Sequence, residues 1–225
     1  MRGLYAIADV QILAARGIDP VVFAEAVLTV RPAAFQLRAK KSADADVVDL
    51  LRALAPRCKA AGVPLVCNDR PDLALVAGCD LVHVGQGDAH VDEARRTAPG
   101  LGVGVSTHDL GQLDAALAVR PTYVAFGPVF PTGSKENPDP VVGIELLATA
   151  YARTRKAGLP LVAIGGITRD RAPSLVGKTD VVAVIGELVP SAVSPDGAPR
   201  PLSEVLYDVV QRARTLHALL TTLSS

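Results

Sequence analysis

Asp69 and Asp88 each follow a short apolar run. Pro64-Leu65-Val66 leads into Cys67-Asn68-Asp69-Arg70, and Leu81-Val82 leads through Val84-Gly85-Gln86-Gly87 to Asp88. One apolar run earlier, Phe35-Gln36-Leu37-Arg38-Ala39-Lys40 ends in two cations. Two carboxylates able to share a divalent cation, beside cations able to neutralise a diphosphate, point to chemistry on a pyrophosphate ester. A single Asp or Asn past a strand is ordinarily a turn former or helix cap. Recurrence at successive strand ends favours a site.

Such residues need elements that carry them to one place. Short apolar runs at residues 4–8, 34–38, 64–68, 81–84, 102–106, 122–126, 160–164 and 180–184 have the length of buried strands. Amphipathic stretches at 21–30, 43–61, 71–77, 91–98, 110–119, 144–157, 169–176 and 202–223 predict helices between and after them. Asp19-Pro20 is a start signal for the first of these helices, Ser42 is the expected N-cap of the second, and Gly158 is an expected C-terminal stop. Eight strand–helix units predict an α/β fold, a single (β/α)8 TIM barrel over residues 1–225, with a loose segment at 191–200 before the last helix. A doubly wound open sheet is the alternative, but the even spacing and the lack of a G-x-G-x-x-G run favour closure.

In such a barrel the loops at the strand exits form the active site. Gln36, Arg38, Lys40, Asn68, Asp69, Asp88, Ser106, Thr132 and Gly165-Gly166 all fall on that side. Gly165-Gly166 after strand seven and Ile185-Gly186 after strand eight suit a phosphate held by backbone N–H groups at a helix start. The stretch 127–140 is the longest strand-exit loop, and its hydroxyls and Lys135 could hold a second phosphate.

The chain has 225 residues and is 49% hydrophobic with no Trp, so Ala, Val, Leu and Ile must build the core. Lys and Arg number 23 and Asp and Glu 23, a balance that argues against nucleic acid or an acidic membrane as the main partner. Three cysteines (Cys58, Cys67, Cys79) lack metal-type spacing and are expected to be reduced packing residues, which suits a cytoplasmic location. The N-terminal apolar run Leu4-Tyr5-Ala6-Ile7-Ala8 is too short for a signal h-region, and no stretch reaches membrane-spanning length. His83 is expected against the barrel wall, and His90 and His217 on helix surfaces.

The order of motifs resembles the thiamine phosphate synthase family from Leu4 to about Val189. The residues that carry the resemblance are 36–40, Asn68-Asp69-Arg70-Pro71-Asp72-Leu73-Ala74, His83-Val84-Gly85-Gln86-Gly87-Asp88, Gly104-Val105-Ser106-Thr107-His108, 126–135 and Ala163-Ile164-Gly165-Gly166-Ile167. The resemblance implies a transferase of thiamine biosynthesis that joins hydroxymethylpyrimidine diphosphate to thiazole phosphate, giving thiamine phosphate and pyrophosphate. It implies Mg²⁺ on Asp69 and Asp88, and pyrimidine diphosphate on Gln36, Leu37, Arg38, Ala39, Lys40, Asn68, Ser106 and Lys135. Thiazole phosphate would lie on Thr132, Gly133, Ser134, Gly165, Gly166, Ile185 and Gly186. Arg38, Lys40, Ser106 and Lys135 would be catalytic. The implied partners are small-molecule substrates, with oligomeric state left open.

Two departures stand out. Ser134 replaces a threonine, and Gly186-Glu187 replaces the family's serine and a small apolar residue, so Glu187 brings a negative charge near the expected anion site. Two alternatives stay open: a thiazole tautomerase-like relative, for which His108 holds the relevant position, and a non-catalytic binder of thiamine-pathway phosphates.

Overall fold

A computed structural model of the chain describes residues 1–133 and 139–221. Ser134, Lys135 and the last two residues of the expected final helix lie outside them. Among the described residues, eight parallel strands close into a barrel: β1 (Gly3–Asp9), β2 (Ala34–Arg38), β3 (Leu65–Asn68), β4 (Leu81–Val84), β5 (Gly102–Thr107), β6 (Tyr123–Phe126), β7 (Leu161–Ile164) and β8 (Val181–Val184). β1 pairs with both β2 and β8, which closes the ring. The helices around it are α1 (Val10–Ala14), α2 (Pro20–Leu28), α3 (Asp44–Ala61), α4 (Pro71–Ala77), α5 (Val91–Thr97), α6 (Leu110–Val119), α7 (Gly143–Ala157) and α8 (Leu202–Thr221). None of the described helices is long and apolar enough to cross a membrane.

Period-two alternation along each strand divides the core in two. Leu4, Ala6, Ala8, Phe35, Leu37, Cys67, Val82, Val84 and Val124 point outward and pack under the helices. Tyr5, Ile7, Ala34, Val66, Leu81, Tyr123, Ala125, Val162, Val181 and Ala183 fill the barrel interior. The same alternation turns Gln36, Arg38, Asn68, His83 and Ser106 inward, nearer the strand exits. Each buried polar group there must find a partner, because leaving one unpaired costs about 1–3 kcal/mol.

Four local expectations change. Ser42 does not cap α3: Ala43 holds that position without a side-chain bond, because Ser42 sits in the preceding turn with its amide on the Ala39 carbonyl. The helix expected at 169–176 is one 3₁₀ turn, Ala172–Leu175, with Pro173 in its first positions. An unexpected helix, α1, follows β1 directly, started by the Asp9 side chain accepting from the amides of Gln11 and Ile12. Residues 191–200 form a small hairpin, with a Val193–Pro199 bridge and Arg200 donating to the Ser191 carbonyl and to Asp208. Gly158 does end α7, in the left-handed conformation.

Candidate active site

The two acids meet at the exits of β3 and β4. Asp69 has φ +63°, a left-handed conformation unusual for a residue with a side chain, and its amide donates to the His83 carbonyl at 2.7 Å. That bond fastens the turn after β3 to β4. Lys40 Nζ lies 2.9 Å from Asp69 Oδ2. Asp88 folds back on its own loop, where Oδ2 accepts from the Gly85 amide at 2.8 Å. Partial burial holds the Asp88 carboxyl above the usual carboxylate range, and a hydrogen bond and like charge from Asp69 push the same way, against Gly85 N–H and Lys40.

Two touching carboxylates, one reluctant to ionise, make a place where added positive charge is favourable. The donors are all oxygen, which suits a hard divalent cation. Among the described residues no cluster of three or more His, Cys, Asp or Glu could hold a metal ion. A pair of carboxylates with remaining positions left to water and phosphate oxygens is the usual Mg²⁺ arrangement, so the residues fit that ion.

Arg38 stands beside the acids and contacts Asp9 Oδ2, while Asp9 Oδ1 accepts from Gln11 and Ile12 at 3.1 Å each. Asp9 is 2% exposed. One carboxylate therefore starts α1 and sets the direction of the guanidinium. The sequence gives no separate signal for this role, since an Asp after an apolar run resembles a turn. Arg70, next to Asp69, turns outward onto Asp44 and Asp72 and stays apart from the mouth.

Below the acids lies a row of polar side chains. Gln36 Nε2 donates to Tyr5 Oη at 2.8 Å, and Tyr5 and Tyr123 hydroxyls are 2.8 Å apart. His83 Nδ1 is 2.9 Å from Tyr123 Oη, and its Nε2 is 2.8 Å from Ser106 Oγ. His83 thus faces the interior, not the wall, and stacks on the Tyr123 ring at 5.6 Å between centroids. Gly104 makes room for that ring: a Cβ there would lie 2.1 Å from Tyr123 Cζ. Burial keeps the Tyr5 and Tyr123 phenols protonated far above their ordinary range.

Gln36, Arg38, Lys40, Asn68, Asp69, Asp88 and Ser106 all line one cavity of about 680 Å³. A second cavity of about 290 Å³ adjoins it, lined by Thr132, Gly133, Gly165, Gly166, Ile185 and Gly186. Ser106, His108, Gly133, Ile164 and Ile185 border both. Leu37 points into the layer under the helices and Ala39 packs against that layer, so only their backbone can serve a ligand. Ser134 and Lys135 lie outside the described residues.

The two adjacent glycines at the second cavity have a structural reason. Gly165 (φ +98°) and Gly166 (φ +62°) pass so close to the loop after β6 that added Cβ atoms would lie 2.4 Å from Pro128 Cβ and from the Pro131 carbonyl oxygen. The loop in turn pairs back, Val129 and Phe130 donating to the carbonyls of Ile164 and Gly165. Gly186–Leu188 is a single 3₁₀ turn, so the helix start expected after β8 is not a long helix. Glu187 does not stand as a bare charge, because Arg169 Nε lies 2.6 Å from its Oε1 and Arg212 Nη1 3.9 Å. Arg171 spans the rim, 5.1 Å over the Phe130 ring and donating to the Gly166 carbonyl. His108 donates Nδ1–H to the Gly127 carbonyl at 2.6 Å, with Nε2 3.4 Å from Asp139.

The elsewhere-placed histidines differ from one another. His90 is exposed at the start of α5, whereas His217 is half-buried against Gly3 with its Nδ1 unpartnered.

Comparison with known proteins points to one family. The family model described as thiamine monophosphate synthase matches residues 4–188. The thiamine-phosphate synthase of Roseiflexus sp. is 38% identical over 214 residues, covering 94% of this chain and 88% of that protein. That of Chlorobium luteolum is 37% identical over 76% of this chain and 80% of its own length. That of Koribacter versatilis reaches 47% over 63% of this chain and 64% of its own. Among solved structures, thiamine phosphate pyrophosphorylase from Pyrococcus furiosus superposes with a TM-score of 0.80 at 25% identity, covering 99% of this chain and 97% of that one. With the model matching most of its length and relatives this similar, the chain belongs to the thiamine monophosphate synthase family.

Proposed function

We propose that this protein is a thiamine-phosphate synthase, joining hydroxymethylpyrimidine diphosphate to thiazole phosphate with release of pyrophosphate, and that residues 1–225 act as one barrel domain. The observation that carries the proposal is the meeting of Asp69, Asp88, Lys40 and Arg38 at one mouth, with a smaller glycine-lined cavity alongside. The first cavity suits the diphosphate substrate and the second the thiazole phosphate.

Arg38 and Lys40 bind the diphosphate and offset the charge that grows on pyrophosphate as it leaves. Asp69 and Asp88 would hold a Mg²⁺ ion, which would supply further charge neutralisation for that leaving group. Gln36, Asn68 and Ser106 hold the pyrimidine ring, and Lys135 binds the diphosphate. The ring's amino group stabilises the pyrimidine-methyl cation left behind, and the thiazole nitrogen attacks it. That nitrogen has no proton to lose, so no general base is needed. Thr132, Gly133, Ser134, Gly165, Gly166, Ile185 and Gly186 hold the thiazole phosphate close to the reacting carbon, which removes most of the entropic barrier. The main-chain groups of Leu37 and Ala39 complete the cradle on β2.

The partners are these two small molecules. A reducing compartment such as the cytoplasm suits the three buried thiols, since burial pushes Cys58 and Cys67 up to about 12 and Cys79 higher still, which keeps all three unreactive. The test is pyrophosphate release from purified protein with Mg²⁺ and the pyrimidine diphosphate, with and without thiazole phosphate. The expected result is Mg²⁺-dependent release matched by thiamine phosphate. Folded protein that releases nothing, yet isomerises a thiazole, would favour a tautomerase centred on His108 instead.

A further inference from the structure

The row beneath the acids contains more information than its distances. It runs from Gln36 through Tyr5, Tyr123 and His83 to Ser106 without a break. A hydroxyl has one proton, so the donors along a row of hydroxyls must all point the same way. With the Gln36 amide nitrogen donating to Tyr5, Tyr5 donates to Tyr123 and Tyr123 donates to His83 Nδ1. With the Gln36 amide in this orientation, the opposite direction would leave Tyr5 accepting from both sides, with its own proton unpaired in a site that is 2% exposed. His83 Nδ1 is then an acceptor, its proton sits on Nε2, and that proton goes to Ser106 Oγ. Ser106 keeps its own proton for the cavity it lines, and Gln36 keeps its carbonyl oxygen.

We propose that Tyr5, Tyr123 and His83 are positioning residues that set a carbonyl acceptor at Gln36 and a hydroxyl donor at Ser106. The pair thereby selects a ring with an amino donor on one side and an unprotonated ring nitrogen on the other. Gln36 on β2 and Ser106 on β5 stand three strands apart, so the ring lies between them. A ring bearing a carbonyl and an N–H in those places meets acceptor against acceptor and donor against donor. Buried polar groups left facing the wrong partner are a strong basis for rejection. The inference rests on the reading that a pyrimidine diphosphate occupies this cavity.

Two measurements test it. The first is ¹⁵N NMR of the histidines without substrates, expected to show His83 protonated at Nε2 and not at Nδ1. Tyr123→Phe should perturb the Nδ1 signal, whereas Tyr5→Phe should leave the tautomer as it is, because Tyr123 still donates. A proton on Nδ1 in the unaltered protein would mean that the row runs the other way, and would overturn the proposal. The second compares kcat and KM for the aminopyrimidine diphosphate and its 4-oxo counterpart. Both Tyr→Phe changes should raise KM for the amino substrate about tenfold and shrink the preference for amino over oxo by a similar factor. KM for thiazole phosphate should not move. An unchanged preference in folded variants would sink the idea. The NMR arm needs no turnover, so a failure of the proposed reaction and a failure of the row are told apart.

Discussion

Removing the Asp9 carboxylate should lower stability in two separable steps, because its two oxygens have different duties. Oδ1 starts α1 through the Gln11 and Ile12 amides, a cap whose loss costs about 1 kcal/mol. Oδ2 faces Arg38, whose side chain is 16% exposed. Stripping one partner from a fully buried ion pair costs about 3–5 kcal/mol. Arg38 opens onto the cavity and can reach water, which discounts that figure to about 1–3 kcal/mol. Asp9→Ala should therefore cost about 2–4 kcal/mol in total. Asp9→Asn keeps an oxygen for the two amides and a neutral acceptor near Arg38, so it should cost about 1–2 kcal/mol. Urea unfolding followed by circular dichroism gives both values, with an unchanged denaturant slope as the check that only stability has moved. Pyrimidine diphosphate KM should rise in both variants, because the guanidinium has lost its guide. If Asp9→Ala and Asp9→Asn cost the same, or if Asp9→Ala costs under about 1 kcal/mol, the assignment of separate duties is wrong.

Three further outcomes follow from the same geometry. Since the folded state holds the Asp88 proton more tightly than the unfolded chain does, the contribution of Asp88 to stability should fall as pH rises from the ordinary carboxylate range through the raised value, so that wild type loses stability relative to Asp88→Asn over that range. Asp88→Asn should abolish that fall, and at about pH 7 be at least as stable as wild type while losing Mg²⁺-dependent pyrophosphate release; a clearly less stable variant in thermal melts would refute this. Gly104→Ala should cost about 3–5 kcal/mol in urea unfolding, because its methyl displaces Tyr123 and breaks two buried hydrogen bonds, and a near-neutral result would show that the ring can move aside. Glu187→Gln should tighten thiazole phosphate binding severalfold at low salt, with a steeper salt dependence, by removing a negative charge that lines the second cavity; calorimetric titration with equal affinities would show that the Glu187 charge does not reach the bound phosphate.

The barrel was legible because its strands are uninterrupted apolar runs and its helices are amphipathic between them. The candidate site positions were legible for a related reason: Gln36, Arg38, Asn68 and Asp69 sit at strand ends, where alternation and loop position give their direction. Other features depend on register between distant strands. Nothing near Tyr5 or Tyr123 in the chain says that their hydroxyls meet, and both look like ordinary core aromatics. Asp9 is similar, since its partner Arg38 is brought near only by β1–β2 pairing. The 169–176 stretch has helical apolar spacing, but Pro173 has no amide proton for a helix ladder, and only the 3₁₀ turn Ala172–Leu175 forms. Glu187 looked like an unwelcome charge because the arginine of α8 that approaches it lies 25 residues away in the chain.

The left-handed backbone at Asp69 also limits how the site can be re-engineered. Only Gly, Asn and Asp enter that conformation readily, and another side chain pays roughly 1–2 kcal/mol. Exchanging Asp69 for histidine or glutamate, the obvious way to retune the acid pair toward a softer or larger cation, would strain the turn that β4 holds through the His83 carbonyl. Asp88 is free of that conformation and is the position where new ligand chemistry can be introduced first. Libraries aimed at the proposed metal site should vary Asp88 widely and hold Asp69 to those three residues.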